Sequence, residues 1–205
     1  MITLQPEDRL IERHFTHPSY VWLDHRQLRY MLTRLSQVLE TIHWPANPNV
    51  IRTLTQELVE PDGRHHRVIS INPDLLRTGS HFTIVGFFAE RRPDADQETL
   101  ASRDKLLYDE MAGHTGLLSY SSLELTNGDY GNCIVFADEL AKQRWNKSEV
   151  HAHAVREISP ASYYTVRLYN GHLPASIMEA YKLTLTSVKY FDYRQEPMWR
   201  AVRQL

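Results

Sequence analysis

The segment 81–170 alternates strand-like and helix-like stretches in an order that few folds accommodate. Runs rich in β-branched and aromatic residues, typical of strands, occupy 81–90, 117–125, 130–136 and 163–169. Helical periodicity occupies about 97–112 and 138–158. Asn127-Gly128, which tolerates the left-handed dihedrals of a tight hairpin turn, joins the second run to the third. This order predicts a ferredoxin-like β-α-β-β-α-β unit, an antiparallel sheet with both helices on one face.

The chain outside this unit carries its own secondary-structure signals. Apolar residues recur at gaps of three and four along 22–44, which predicts a helix that Asp24 could cap and that Pro45 would stop. The turn sequence at 60–63 predicts a hairpin, because proline presets one dihedral angle and glycine accepts a positive one. The flanking strands are expected at 50–59 and 65–71, and a short helix and a last strand at 174–180 and 182–193.

The chain therefore reads as an α+β protein in three segments. An N-terminal extension (1–80) and a C-terminal extension (171–205) flank the ferredoxin-like unit (81–170). One face of the predicted sheet carries no helix, and an apolar face of that kind must be covered. We expect a homodimer built face to face, with cover by the chain's own terminal segments as the alternative.

Composition excludes several classes of function. Lys plus Arg number 23 against 25 Asp plus Glu, and a net charge of −2 gathers no phosphate backbone, so no nucleic-acid partner is expected. The N-terminus shows no secretory signal, and no uncharged apolar stretch reaches the roughly 18 residues of a membrane span. The single cysteine, Cys133, lies in an apolar run and forms no intrachain disulfide. These features predict a cytoplasmic protein with no membrane partner.

The stretch from Cys133 to Trp145, followed by Ser148 to His151, resembles the third strand and second helix of the dimeric α/β barrel superfamily. More narrowly it resembles antibiotic-biosynthesis-monooxygenase domains, and the approach to the last strand at 159–164 also fits. The resemblance spans about 90 of 205 residues and implies a cofactor-independent, monooxygenase-like enzyme or a stress-associated domain. Heme-degrading relatives use an Asn on the first strand, and the run 81–90 has none. No cofactor is favoured, and heme is a minor alternative.

Helical geometry separates the histidines of the second predicted helix. At about 100° per residue, His151 falls on the apolar stripe between Val155 and Ile158, and His153 falls on the solvated side near Glu157. Because positions two apart diverge, the histidines cannot bind one metal together, and no metal site is expected. His151 is the candidate catalytic acid or base, or else a packed histidine. His153 is expected to pair with Glu149 or Glu157.

Three further residues are candidate ligand contacts. Trp145 could form the flat wall of an apolar pocket or could plug the helix against the sheet. Arg167 could clamp a ligand carboxylate or form a salt bridge at a dimer interface. Tyr164 lies on the opposite strand face from Arg167 and is assigned to substrate binding.

Two functional hypotheses of different classes remain open. The first is an enzyme that acts on a small apolar organic molecule, with His151 as acid or base. The second is a non-catalytic dimeric binding or stress-associated domain in which the same residues are core. A sheet-face cavity filled by Phe87, Phe88 and tyrosines favours the second hypothesis, and an open pocket ending in a polar group favours the first.

Overall fold

Nine strands of the described chain form one sheet. The computed structural model describes residues 1–43, 45–47, 49, 52–95, 110–111 and 113–205. The strands are β1 (Ile2–Leu4), β2 (Leu54–Val59), β3 (His65–Ser70), β4 (Phe82–Arg91), β5 (Leu117–Glu124), β6 (Tyr130–Phe136), β7 (Tyr163–Leu173), β8 (Thr184–Asp192) and β9 (Trp199–Gln204). Their order in the sheet is β1-β9-β8-β7-β4-β6-β5-β3-β2. The β1–β9 pair is parallel, and the other neighbours are antiparallel.

Helices connect these strands and lie on both faces of the sheet. In chain order they are α1 (Ser19–Glu40), α2 (Pro73–Thr78), α3 (Glu139–Asn146), α4 (Glu149–His153) and α5 (Ser159–Ser162). A π-helical turn (Ala154–Ile158) joins α4 to α5. A first 3-10 helix (Ile11–Thr16) precedes α1, and a second 3-10 helix (Ile177–Lys182) precedes β8.

The four strands predicted for 81–170 are present and pair antiparallel as β7-β4-β6-β5. The sheet is larger than predicted, because strands from both extensions continue it on either side, and β1, β9 and α2 had no sequence prediction. The helix predicted at 97–112 lies largely outside the described residues. Helical structure was predicted to end at Ser159-Pro160 but continues to Ser162, since proline fits the first turn of α5.

The sheet face that was predicted to be bare is covered by α1. Apolar residues of α1 at gaps of three and four are fully buried against it, namely Leu28, Met31, Leu32, Leu35, Val38 and Leu39. The same core contains Cys133, whose pKa burial raises to about 12. Intramolecular cover, the alternative to the face-to-face homodimer, is thus what the structure shows for this face. A face-to-face dimer would need a surface that α1 occupies.

A second, smaller core lies on the opposite face of the sheet. It contains Ile69, Ile71, Met111, Leu117, Phe136, Ala141 and Trp145. Side chains of β6 point alternately to the two faces of the sheet and contribute to both cores. Cys133 and Val135 belong to the first core, and Phe136 belongs to the second. The sheet is therefore the middle layer of the molecule, with a core on each side.

Close contact between α1 and β4 depends on a glycine. A β-carbon added at Gly86 would lie 2.8 Å from the Cδ1 atom of Leu28, and Leu28 is fully buried. The side chain of Leu28 therefore packs on the bare backbone of β4. The helix can approach the sheet at this point only because β4 has no side chain there.

We expect Gly86→Ala to destabilise the protein by about 1–3 kcal/mol, because the new methyl group overpacks the core against Leu28. Urea unfolding measures this loss. Gly113→Ala is the matched control, since a β-carbon there meets nothing within 4 Å. Adding Leu28→Ala to Gly86→Ala should cost less than the two single losses combined. Strict additivity would contradict the contact.

Candidate functional site

His151, the predicted catalytic residue, lies on α4 with its side chain half-buried. Its backbone N–H donates to the Oγ atom of Ser148, which caps the helix, at 3.2 Å. The ring nitrogen Nδ1 is buried and has no hydrogen-bond partner in the structure as described. The predicted stripe of His151, Val155 and Ile158 does not form, because the π-helical turn changes the rotation per residue and leaves Val155 46% exposed.

Trp145 packs against His151 and a second histidine. The indole ring lies 5.5 Å from the ring of His151 and 5.5 Å, edge-on, from the ring of His114, between ring centroids. Trp145 is 7% exposed and belongs to the second core, which is the plugging position considered for it. Both ring nitrogens of His114 are buried without a hydrogen-bond partner in the described chain. His153 pairs with Glu157 at 3.2 Å, as predicted.

Arg167 lies on the other face of the sheet, where it binds a carboxylate of the chain itself. Its Nε and Nη2 atoms donate to the two carboxylate oxygens of Asp24 at 2.6 and 3.1 Å. The prediction that Asp24 caps the helix is wrong, because α1 begins at Ser19 and Asp24 lies inside it on the buried side. Burial raises the pKa of Asp24 even though Arg167 opposes the shift. The guanidinium also lies 4.3 Å from the centroid of the Tyr20 ring.

The four predicted site residues are not brought together. Trp145 and His151 lie on the α3–α4 side of the sheet, and Arg167 lies on the α1 side opposite Phe88. Tyr164 stands at the start of β7, where the Arg92 guanidinium covers its ring at 4.7 Å. These residues therefore do not line one pocket, and their assignment to ligand binding stays a prediction.

A cleft of about 550 Å³ opens between α1 and the second 3-10 helix. On the α1 side Arg26, Arg29 and Tyr30 line it. Arg64, the residue before β3, contributes a third guanidinium. The second 3-10 helix contributes Met178, Ala180 and Tyr181. Among the lining residues that the structure describes, none is acidic. The cleft thus combines positive charge with aromatic and aliphatic surface, a combination that suits an organic anion.

A buried carboxylate holds the hairpin against α1 beside this cleft. The side chain of Glu60 has no exposed surface and accepts hydrogen bonds from the Tyr30 hydroxyl, from Arg34 Nε at 3.2 Å and from His66 Nδ1 at 2.6 Å. Burial alone would raise the pKa of Glu60, but these donors outweigh it and lower the pKa. Glu60 thereby joins α1, which carries Arg26 and Arg29, to the hairpin that carries Arg64.

Tyr30 and Arg64 are fixed where they line the cleft. Burial and the hydrogen bond to Glu60 raise the pKa of Tyr30 to about 12, so its phenol stays protonated. Arg64 donates from Nε to Asp62 at 2.8 Å and from Nη1 to the backbone carbonyl of Glu124 at 3.1 Å. The Nε2 atom of His25 on α1 donates to the carbonyl oxygen of Leu183 at 3.0 Å. This hydrogen bond ties the end of the second 3-10 helix to α1. Tyr30, Arg64 and the second 3-10 helix are therefore preorganised.

Sequence reasoning missed this cleft, although part of its signal was visible. The polar face of the predicted helix repeats Arg26, Arg29 and Tyr30 at helical spacing, but such a face is usually only solvated. Nothing in the sequence places Arg64 or Tyr181 beside that face. Within the described ranges no cluster of metal-binding side chains occurs, and no described helix is long and apolar enough to span a membrane.

Comparisons with known proteins give only distant likenesses. No protein-family model and no curated protein matches the chain. A Shewanella oneidensis protein is 14% identical (TM-score 0.39; 45% of this chain, 90% of that one). A protein of unknown function from Nitrosomonas europaea is 15% identical (TM-score 0.39; 46% and 90%). A monooxygenase-like protein from Listeria innocua is 14% identical (TM-score 0.33; 69% and 86%). At these TM-scores no function is transferred.

Stability is expected to fall as the pH is lowered from about 7.5 to 5.5. Burial lowers the pKa of His66, His114 and His151 below the ordinary value of 6.5, so each takes up a proton when the chain unfolds. Each proton contributes a slope of up to about 1.4 kcal/mol per pH unit. Urea unfolding across this range measures the slope. His151→Gln should reduce it, whereas His153→Gln, at the exposed pair, should not. A flat profile would contradict the burial of these rings.

Arg167→Met should destabilise the protein by about 3–5 kcal/mol, because it leaves the carboxylate of Asp24 buried without its cation. The free energy of unfolding in urea tests this expectation. Combining Arg167→Met with Asp24→Leu should recover most of the loss, and Arg200→Met, at an exposed position on β9, is the control. A double variant as unstable as the single one would refute the pairing as the cause.

Proposed function

We propose that this protein binds a small organic anion in the cleft between α1 and the second 3-10 helix. The observation that carries the proposal is the lining of that cleft, where guanidinium groups of Arg26, Arg29 and Arg64 face Tyr181 and Met178. Its volume of about 550 Å³ falls within the range of roughly 300–1,000 Å³ typical of small-molecule sites. Guanidinium groups bind carboxylate and phosphate groups through directed hydrogen bonds.

Packing on the α1 side of the sheet supports a binding protein over an enzyme of the barrel type. Phe88 is fully buried and meets Tyr169 edge-on at 5.8 Å, and Leu28 fills the space above Gly86. Filling of this face by Phe88 and a tyrosine agrees with the non-catalytic hypothesis, whereas Phe87 points to the opposite face and contacts Tyr163. We propose a ferredoxin-like unit of the dimeric α/β barrel type, in which the chain's own helix occupies the position of a ligand cavity. The homodimer itself remains a prediction.

A second candidate function rests on His151. Its unpartnered Nδ1 atom and the adjoining Trp145 ring suit a neutral base beside a flat apolar surface. Burial lowers the pKa of His151, which keeps the imidazole neutral at physiological pH. This arrangement supports a monooxygenase-like reaction on a small apolar molecule without assigning a cofactor. The two sites lie on opposite sides of the sheet, so a substitution in one site leaves the other intact and their contributions can be measured separately.

Calorimetric titration with phenyl phosphate and with phenol tests the binding proposal. Phenyl phosphate should bind saturably and phenol should bind at least tenfold more weakly, since a hydrogen bond to a charged group contributes roughly 1.5–3 kcal/mol. The double variant Arg26→Gln, Arg29→Gln should lose at least tenfold in affinity for phenyl phosphate.

The matched control is Arg200→Gln, which removes a guanidinium from an exposed position on β9. His151→Ala should leave phenyl phosphate affinity unchanged, because His151 lies on the other face of the sheet. Equal affinity for phenol and phenyl phosphate, or no saturable binding of either, would reject the cleft as an anion site. Loss of binding in His151→Ala alone would favour the second candidate.

A further inference from the structure

We infer that the anion bound in this cleft is an amphiphile, an acidic head group carrying an unbranched apolar chain. The inference rests on the proposed function and deepens it by naming the ligand class. Its basis is the division of the cleft into a charged wall and an apolar wall. An acidic head group alone would contact only the charged wall, and the apolar wall would then have no role in binding.

The charged wall is the solvent side of α1. Arg26 and Arg29 lie three residues apart and thus neighbour each other on one helix face. The guanidinium of Arg26 lies over the ring of Trp22, 4.7 Å from its centroid, a cation–π contact that helps to hold the side chain in place. Trp22 is itself 59% exposed and does not line the cleft.

The apolar wall is the second 3-10 helix. Met178 and Tyr181 are 49% and 61% exposed, although each is large enough to bury considerable apolar area. Buried Ile177 and Ala180 anchor the segment to the first core, so the exposed pair is held in place. Lys182 pairs with Glu179 on this segment, and the pair adds no net charge to the wall. A methionine side chain adapts its shape to an unbranched aliphatic chain.

Clustering distinguishes this surface from ordinary exposed apolar residues. Single exposed hydrophobic side chains are common, but here Met178 and Tyr181 line the same cleft as the arginines. Because Arg29 and Tyr181 line the same cleft, the rest of a molecule whose acidic group binds Arg29 lies in the space that Tyr181 also lines. Apolar surface at that place would become buried only by an aliphatic or aromatic chain attached to the bound acid.

A chain-length series of straight-chain carboxylates (butyrate, hexanoate and octanoate), titrated calorimetrically into the full chain, tests the inference. We expect affinity to rise about two- to fourfold for each methylene, the increment of burying one such group partly or fully. Met178→Ser with Tyr181→Ser should flatten this rise, so that octanoate loses more affinity than butyrate. Arg29→Gln should instead weaken every member of the series by the same factor.

The outcomes separate the inference from the proposed function. If all three carboxylates bind with equal affinity, the amphiphile is excluded and the anion site stands. If none binds and phenyl phosphate also fails, the anion site itself is wrong.

Sedimentation with phosphatidylcholine vesicles, with and without phosphatidylserine, tests whether the acidic head group belongs to a membrane lipid. Binding to the anionic vesicles without binding of octanoate would overturn the inference in favour of a lipid surface. The change in affinity per methylene, measured on the unmutated protein, tests the inference even if the double variant misfolds.

Discussion

The packing of α1 across the sheet is the constraint on which the rest of the molecule depends. Leu28 rests on the bare backbone at Gly86, and Asp24 is buried only because Arg167 reaches it from β7. Near the other end of the contact, Arg34 meets the buried carboxylate of Glu60. The helix is thus held by close packing in its middle and by ionic contacts toward both sides. The cleft follows from this placement, because α1 presents its solvent side to the 3-10 segment.

The two candidate sites are built around different buried polar groups. Beside the cleft, Glu60 is a saturated acceptor that fixes the Tyr30 ring and the hairpin. Around Trp145, nitrogens of His114 and His151 are buried without partners in the described residues, as is the Nε2 atom of His66 beside Glu60. A buried carboxylate that accepts several hydrogen bonds holds its neighbours rigidly and suits a preformed binding site, whereas a neutral imidazole beside an apolar ring can accept a proton. For this reason we propose binding in the cleft and keep acid–base chemistry at His151 as the second candidate.

Local signals in the sequence predicted the elements better than their assembly. Spacing of apolar residues located α1, and the Asn127-Gly128 turn located the β5–β6 hairpin, because both depend on neighbours in sequence. The cover of the sheet was not predictable in this way. It depends on a glycine in β4 that admits a leucine from α1, a contact between residues 58 positions apart, 28 and 86.

Assignment of Arg167 as a ligand clamp shows the same limit for sites. Strand alternation placed it correctly opposite the face of Tyr164 and Leu168, but only the folded chain supplies the carboxylate that it meets. Trp145 and His151 were brought together because they lie six positions apart on neighbouring short helices. The cleft draws on three distant stretches, at 26–33, 64 and 178–181, and no local pattern links them.

The position of the single thiol makes it possible to measure how often α1 separates from the sheet. Cys133 points from β6 into the core under α1, and burial keeps it protonated and unreactive, with a pKa of about 12. A thiol reagent can modify it only while the helix is lifted from the sheet. The rate of modification in native buffer therefore reports how often that layer opens, without any label being engineered into the chain.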